Sequence, residues 1–422
     1  MANLETVSFF PMREVIEGGE VHWVRDKLAA PISKLPQVFW EDGEPWSEVN
    51  HWAVTRAQGS VGGNIKTVTG LMKHLAAYAS WLEANELDWR HFPMRIGDRA
   101  IVQFRAELIR QRDMLGVLKP STATARMAAV IQFYRYAQIY GFVERGSPMW
   151  KDKQVLRRFH DSTGFARAML TTSSELAIPN RGRPGDTLED GLTPMSPEHA
   201  RQLLEFTKQE GLHELHFMLS LGVLSGARLE TITTLEVRHI EGAMPDRSMP
   251  GFSRVAVGPG TGVATKFDVS GDLLVPTFLV DELKGYAYSM QRLRRQALAN
   301  EAERQRLFLT TRGSPYAHQT FNRLMTDLRR RAQAAGMRFM EAFKFHQTRA
   351  TYGTMLMELA IDVANVASAV AFVRDAMLHK DEATTLRYVK FVQNAPVKAL
   401  ISKEFASVFS GVVKRDWNKF DA

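Results

Sequence analysis

Apolar residues recur at helical spacing in the first third of the chain. A stripe of Leu71, Leu75, Tyr78 and Leu82 lies on one face of a predicted helix. Similar stripes predict a helix over 99–112 and another that starts after Pro120, with Ser121 as its N-cap, and ends at Gly141. Residues 61–150 are therefore predicted to form a small all-helical domain.

The segments on either side of this domain lack such periodicity. Residues 1–60 contain many breakers, which are Gly18, Gly19, Pro31, Pro36, Gly43 and Pro45. They are predicted to be an irregular N-terminal extension of unknown role, open between contact with a binding partner and an oligomerisation segment. Residues 151–195 are predicted to be an interdomain linker, because 171–195 is rich in Ser, Thr, Gly and Pro.

Residues 196–395 are predicted to form a second domain, mainly α-helical with a small antiparallel β-sheet. Its first helix begins with Ser196 as cap and Pro197 at the first helical position. Three short β-rich runs, over 252–257, 264–269 and 273–280, are separated by turns and predict the sheet. A last apolar stripe predicts a C-terminal helix over 396–422 and consists of Val397, Ile401, Phe405, Val408 and Val412.

Composition favours a globular protein with a polyanionic partner. Hydrophobic residues at 45% and charged residues at 24% exclude wholesale disorder. The net charge of +8 and the pI near 9.6 suit nucleic acid. The absence of cysteine excludes disulfides, a thiol nucleophile and thiolate metal sites. No signal peptide or membrane-spanning apolar run is recognised, so a cytoplasmic location is expected.

Three local clusters in the second domain carry candidate chemistry. They are LSGARLETITTLEV, FKFHQTRATYGTM and LHKDEATTLRYVKF. Each cluster is weak evidence by itself, because single arginines and i, i+3 polar pairs are common. Their order and spacing, with a lysine on a predicted β-hairpin between the first two, is far more specific. The candidate side chains are, in chain order, Arg228, Lys266, His346, Arg349, His379 and Tyr388.

This order resembles the tyrosine recombinase (phage integrase) family. The family's pattern is an arginine after a glycine-containing turn, a β-hairpin lysine, His-x-x-Arg, a His or Trp, and then a tyrosine. The six residues above match it in turn. The resemblance covers roughly residues 61–395. It implies that 61–150 form a SAM-like core-binding domain and that 196–395 form a catalytic domain with the DNA breaking-rejoining fold.

The implied chemistry is cleavage of a phosphodiester by a tyrosine. Such cleavage needs a nucleophile, neutralisation of the transition-state charge and a proton donor for the leaving oxygen. A tyrosine has an ordinary pKa near 10, so at neutral pH it needs cations or a base to assist it. The resemblance implies that Tyr388 is the nucleophile and that Arg228 and Arg349 bind the non-bridging phosphate oxygens.

The resemblance also assigns the remaining three residues. His346 accepts the tyrosine proton or braces the phosphate, and Lys266 protonates the leaving 5′ oxygen. His379 donates a hydrogen bond to the scissile phosphate. The implied product is a 3′-phosphotyrosyl link with a free 5′-hydroxyl, which keeps the energy needed for rejoining. No metal, ATP or other cofactor is implied.

Several residues near these motifs are interpreted differently. Thr231 stands where many family members carry an acidic residue, and Leu378 stands where they carry glycine. These departures concern the surroundings of the site rather than its cations or nucleophile. His239 and His318 lack partners at useful spacing and are interpreted as surface or core histidines. Tyr352 is interpreted as a packing residue rather than a reactive one.

The predicted function is site-specific recombination of double-stranded DNA. Candidate phosphate contacts in the helical domain are Lys66, Lys73, Arg126 and Arg135. The resemblance implies a homotetramer on two DNA sites, a monomer or dimer when free, accessory DNA-bending proteins and a nucleoid-associated location. The C-terminal helix is open between covering its own domain and docking on a neighbouring subunit.

Three other functions use related sequences. A type IB topoisomerase would relax supercoiled DNA without a specific site, and a hairpin-telomere resolvase would make closed hairpins from a palindrome. A DNA-binding protein that has lost catalysis would lack an arginine or the tyrosine. All six candidate residues are present, and the two-domain plan favours the recombinase.

Overall fold

The computed structural model describes residues 1–59, 64–160, 166–180, 188 and 191–394. They divide into two compact units, Met1–Arg158 with Ala168–Pro184, and Phe159–Arg167 with Gly185–Ala422. The predicted apolar stripe over 396–422 lies outside the described residues. No helix in the described ranges is long and apolar enough to cross a membrane.

In the ranges that the structure describes, the first unit combines strands with four helices. Its strands are β1 (Asn3–Phe9), β2 (Met12–Glu17), β3 (Glu20–Arg25), β4 (Ile32–Phe39), β5 (Asp152–His160) and β6 (Ala166–Ser174). Its helices are α1 (Ser47–Gln58), α2 (Ile65–Ala84), α3 (Ala100–Asp113) and α4 (Pro120–Ile139). The described strands form three two-stranded sheets, which pair β1 with β4, β2 with β3, and β5 with β6.

The prediction of an irregular segment over residues 1–60 is wrong. Gly18 and Gly19 have positive φ and make the turn between β2 and β3, so they connect strands rather than disrupt structure. Trp46 is buried in the core of the helical unit, and its ring lies 5.4 Å from that of Phe133. Asn50 exchanges two hydrogen bonds with the backbone of Val38 and joins β4 to α1. The segment is part of the first domain.

The predicted linker over 151–195 is also partly structured. It contains β5 and β6, and the residues that follow β6 pack on the first unit. Leu176 and Ile178 are buried there, and the guanidinium of Arg105 donates to the Leu176 carbonyl at 3.1 Å. These two strands are rich in polar and basic residues, so their sequences lack the alternation of apolar and polar positions that predicts a strand.

The second unit is a helical domain around one small sheet. Its helices are α5 (Pro197–Gln209), α6 (His213–Ser225), α7 (Leu229–Thr234), α8 (Val237–Glu241), α9 (Thr277–Ala287), α10 (Met290–Leu298), α11 (His318–Ala334), α12 (His346–Val363), α13 (Val366–Ala376) and α14 (382–394). Its strands are β7 (Met244–Pro245), β8 (Phe252–Val257) and β9 (Gly271–Pro276), which form an antiparallel sheet in the order β7-β8-β9. The predicted fold class is confirmed.

Helix α6 is the centre of this unit. Met218, Leu219 and Leu221 on it are fully buried. Gly222 allows α12 to approach closely, because a Cβ at that position would collide with the side chain of Thr348. Since Thr348 precedes Arg349, this contact sets the distance between the arginine helix and the end of α6.

Candidate active site

A left-handed glycine positions Arg228. Helix α6 ends at Gly226, whose φ is +65°, and the chain then turns so that Arg228 is the N-cap of α7. A Cβ on Gly226 would stand 2.5 Å from the ring of Tyr352, so close packing also excludes a larger residue there. The chain therefore leaves the helix immediately before Arg228.

Lys266 lies in the loop between β8 and β9, residues 258–270. The prediction of a strand over 264–269 is wrong, because Phe267 and Asp268 have φ of +64° and +53°, which no strand accommodates. The ring of Phe267 is exposed, with the ammonium of Lys266 5.2 Å and that of Lys380 5.8 Å from its centroid. The lysine is therefore carried on a tight turn with backbone strain rather than on a strand.

Arg349 connects two of the predicted motifs through their backbones. It is only 2% exposed and lies in the first turn of α12. Its Nη1 donates to the carbonyl of Gly226 at 2.7 Å, and its Nη2 donates to the carbonyl of Met377 at 2.6 Å. Gly226 precedes Arg228 by two residues, and Met377 precedes His379 by two. One guanidinium therefore fixes the segments that present both of these side chains.

Tyr388 is fully buried and packs against His379. The two rings are stacked with centroids 5.9 Å apart, and His379 Nδ1 lies 2.9 Å from Thr385 Oγ1 on α14. Gly353 makes room for the phenol, because a Cβ there would stand 2.6 Å from Tyr388 Cε1. Gly353 is one helical turn after Arg349 on α12, so the tyrosine lies beside the arginine helix.

A cavity of about 130 Å³ collects positive charge from three parts of the chain. It is lined by Arg228, Lys266, Phe267, Leu378, His379, Lys380, Asp381, Thr384 and Arg387. Arg228, Lys266 and His379 were predicted as site residues, whereas Lys380 and Arg387 were not. The sequence signal for these two was only their position beside His379 and Tyr388. The four lysine and arginine side chains face one carboxylate, so the cavity suits an anion.

The structure does not bring every predicted residue to this cavity. His346, the half-buried first residue of α12, is not in its lining, and neither are the buried Arg349 and Tyr388. In the first unit, Lys66 and Lys73 are exposed two turns apart on one side of α2. Arg135 makes a salt bridge of 2.8 Å to Asp152, which makes it a weaker candidate for phosphate contact than the two lysines.

Arg126 has a different environment from the other candidate phosphate contacts. It is half-buried on α4, and burial lowers the pKa of its guanidinium from the ordinary value. Burial also lowers the pKa of the nearby His74, with a further contribution from the charge of Arg126. A nearby anion would favour the charged form of an arginine in this position and oppose the effect of burial.

The two departures from the family pattern have clear structural settings. Leu378 has a φ of +51°, in the left-handed region that favours glycine, so the backbone here keeps the shape that the glycine pattern requires. Its side chain fits against Gly271, where a Cβ would stand 2.5 Å from Leu378 Cδ2. Thr231 is buried on α7. Gly271, the first residue of β9, therefore makes room for the side chain of Leu378.

His239, interpreted from the sequence as a surface or core histidine, is half-buried, and backbone atoms hold its ring. Its Nδ1 accepts a hydrogen bond from the backbone N–H of Glu236 at 3.0 Å, and its Nε2 lies 2.9 Å from the carbonyl oxygen of Thr261. Thr261 belongs to the loop that carries Lys266. The partners are backbone atoms, which leave no spacing signal in a sequence.

Tyr352, three residues after Arg349 on α12, is a packing residue in this structure. Tyr352 is 7% exposed, and its hydroxyl has no hydrogen-bond partner among the described residues. Burial raises its pKa to about 12, opposed in part by the charge of Arg349. A neutral phenol held this way is a poor nucleophile.

The fold and the grouped cations define a mainly α-helical domain with a cavity that suits an anion. Residues 275–393 match the sequence model of the Phage integrase family. This segment, which contains His346, Arg349, His379 and Tyr388, is a phage integrase domain, and the predicted resemblance to tyrosine recombinases is confirmed. Arg228 and Lys266 lie before the matched segment.

Solved structures of two other proteins resemble this chain in fold. The XerH site-specific recombinase bound to palindromic difH substrate is 14% identical with a TM-score of 0.51, covering 81% of this chain and 81% of that chain. The Tn1549 transposon integrase in complex with a circular intermediate DNA is 13% identical with a TM-score of 0.51, covering 81% of this chain and 93% of that chain. At such low sequence identity, these TM-scores show likeness of fold alone. A search of curated protein sequences finds no match to this chain.

Proposed function

We propose that this protein is a site-specific DNA recombinase that cleaves and rejoins DNA through a 3′-phosphotyrosyl link to Tyr388. The observation that carries the proposal is the Arg349 guanidinium, which ties the segment of Arg228 to the segment of His379. Tyr388 packs against Gly353, which lies one helical turn after Arg349 on α12. Arg228, Lys266 and His379, from distant parts of the sequence, thus line one cationic cavity. Arg349 and Tyr388 are buried against the segments that form it, and in-line attack on a phosphate requires such a grouping.

The cleavage step uses the side chains of this chain alone. The Tyr388 oxygen forms a bond to phosphorus as the bond from phosphorus to the 5′ oxygen breaks. The phenol proton passes to His346, and the ammonium of Lys266 gives a proton to the leaving 5′ oxygen. Rejoining reverses both transfers, so atoms and charge balance without an external reactant.

The cavity cations supply the electrostatic part of catalysis. Arg228 offers a planar fork of donors to the non-bridging oxygens and stays charged throughout. His379 donates a hydrogen bond to the same phosphate. Lys380 and Arg387 line the same space and add positive charge. Because these charges are fixed before the substrate arrives, they stabilise the transition state without reorganisation of solvent.

The nucleophile has to move before it can react. Tyr388 has no exposed surface in this structure, and it is held between His379 and the Gly353 face of α12. A buried phenol oxygen cannot reach a phosphate of duplex DNA. Reaction therefore requires the segment 382–394, which carries Tyr388, to shift when DNA binds.

Duplex DNA is the partner of the proposed reaction. The solved XerH and Tn1549 integrase structures are complexes with DNA, and the net charge of +8 suits a polyanion. Exchange of strands between two sites would use four copies of the chain, with Lys66 and Lys73 among its phosphate contacts. The family match favours this function over the type IB topoisomerase and the hairpin-telomere resolvase.

The test is covalent capture of DNA. A duplex site is first selected by repeated binding to the full chain from a random-sequence pool. A nick is then placed near the cleavage position so that the released strand diffuses away and the adduct accumulates, with a chelator present throughout. The wild type and Tyr352→Phe are expected to give a denaturant-resistant adduct, and Tyr388→Phe none.

Two results would overturn the proposal. An adduct of undiminished yield with Tyr388→Phe would remove the nucleophile assignment. Relaxation of a supercoiled plasmid that lacks the selected site, at the same rate as one that carries it, would remove site specificity. Tyr352→Phe is the matched control, because it changes the other buried tyrosine beside Arg349.

A further inference from the structure

The loop that carries Lys266 is attached to the two short helices that follow Arg228. On α8, His239 Nε2 lies 2.9 Å from the carbonyl oxygen of Thr261, and Arg238 Nη2 donates to the same oxygen at 3.2 Å. Thr261 precedes Lys266 by five residues. One carbonyl of the loop that carries Lys266 thus accepts hydrogen bonds from two side chains of α8.

A second attachment comes from α7. The backbone N–H of Ala264 donates to Thr234 Oγ1 at 2.9 Å. Val263, between the two attached residues, is buried with 2% exposure. The part of the loop that leads up to Lys266 is therefore fixed to α7, which begins directly after Arg228, and to α8, which follows α7.

The hydrogen bonds of His239 require one form of the ring. The N–H of Glu236 donates to Nδ1, so Nδ1 carries no hydrogen. The hydrogen of the neutral ring is then on Nε2, which donates to the Thr261 carbonyl. His239 therefore joins the first turn of α8 to the lysine loop through both ring nitrogens at once.

The part of the loop that follows Lys266 closes on itself. Thr265 Oγ1 donates to the carbonyl of Val269 at 2.7 Å, and the N–H of Asp268 donates to the carbonyl of Thr265 at 3.4 Å. These bonds fix the shape of the turn but not its place in the domain. The place of Lys266 relative to Arg228 is set by the attachments before it.

We propose that His239 is a positioning residue that holds Lys266 in reach of the leaving 5′ oxygen. This inference rests on the proposed function, in which Lys266 is the general acid. General acid catalysis depends on placement, and a shift of about 1 Å reduces a rate by about 100-fold. Loss of the His239 attachments is expected to slow cleavage by about 10- to 100-fold, with DNA binding little changed.

The experiment compares two versions of the selected nicked duplex. In one the scissile 5′ oxygen is unchanged, and in the other it is replaced by sulfur, which leaves as a thiolate and needs no proton. The variants are His239→Phe, which keeps a ring but removes both hydrogen bonds, and His239→Gln, which keeps a donor. Lys266→Ala marks the loss of the acid itself. His216→Phe is the matched control, since His216 is also half-buried and bonded to Thr207, away from the loop.

The expected result is a slow His239→Phe variant on the oxygen duplex with a rate near that of the wild type on the sulfur duplex. His239→Gln should be intermediate, and His216→Phe should show no difference between the two duplexes. A double variant with Lys266→Ala should be no slower than Lys266→Ala alone. Equal slowing of His239→Phe on both duplexes, or no slowing on either, would overturn the inference.

The same data separate this inference from the proposed function. If sulfur rescues Lys266→Ala but not His239→Phe, the lysine assignment stands and the role of His239 is wrong. If sulfur does not rescue Lys266→Ala, then the general acid of the proposed function is wrong, and the inference about His239 is wrong with it.

Discussion

Replacing Tyr352 by phenylalanine is expected to stabilise the second unit. The Tyr352 hydroxyl is buried and has no hydrogen-bond partner among the described residues. A buried polar group in that state costs about 1–3 kcal/mol, and Tyr352→Phe removes the hydroxyl while keeping the ring against Gly226. The free energy of unfolding should therefore rise by about 1–3 kcal/mol, with DNA cleavage retained.

The measurement is the melting temperature of the unit by calorimetry of the full chain. For about 200 residues, each 1 kcal/mol moves the midpoint by about 2–4 °C. Tyr286→Phe is the matched control in the same unit, because the Tyr286 hydroxyl donates to Glu214 at 3.1 Å. That change should lower the midpoint, so the two substitutions should have opposite signs. Destabilisation by Tyr352→Phe would refute the view that its hydroxyl lacks a partner, and loss of cleavage would refute its role in packing alone.

Four further predictions concern the packing and charges of the second unit and the binding of DNA. Gly353→Ala should destabilise the unit by about 1–3 kcal/mol, because its Cβ would stand 2.5 Å from Met377 Sδ; Gly285→Ala, with open space around its Cβ, should be neutral or stabilising in the same urea titration. Arg349→Lys should lose about 1.5–3 kcal/mol for each carbonyl bond that the ammonium fails to make, together with cleavage, as read from urea unfolding and adduct yield. Burial raises the pKa of Tyr352 to about 12, above the ordinary value near 10. The part of the free energy of unfolding that depends on a neutral Tyr352 phenol is therefore complete below pH 10 and is lost as the pH rises through 10–12. An unchanged free energy of unfolding across that range would contradict this. DNA affinity should fall steeply with salt, and Lys73→Ala should reduce the slope of log affinity against log salt by about 1, whereas an unchanged slope would remove Lys73 from the phosphate contacts.

Local signals in the sequence were sufficient for many of the helices. The stripe along α2, the Ser196 cap of α5 and the glycine end of α6 all depend on residues within a few positions of each other. Such signals act inside one element and are visible in the sequence. The overall class of a mainly helical protein with a small sheet followed from them.

The strands of the first unit were missed because their pairing is not local. β1 pairs with β4 across the intervening hairpin, with Asn3 opposite Phe39. Glycines and prolines between short strands were interpreted as breakers, when Gly18 and Gly19 are a turn. The burial of Trp46 in the helical core depends on the tertiary structure and has no periodic signature.

The candidate site shows the same division. The order of Arg228, Lys266, His346, Arg349, His379 and Tyr388 was visible in the sequence. The contacts of Arg349 and His239 were not, because their partners are backbone carbonyls and N–H groups. The left-handed turn at Phe267 was missed for a related reason, since its residue types are those of a strand.

The most direct test of the proposed chemistry is to identify the bond between protein and DNA. The adduct trapped on the nicked duplex is digested, and the modified peptide is sequenced by mass spectrometry. The account predicts one modified residue, Tyr388, joined to a 3′-phosphate, with a free 5′-hydroxyl on the released strand. A nucleotide on Tyr352 or any other residue, or a 5′-phosphate link, would contradict it.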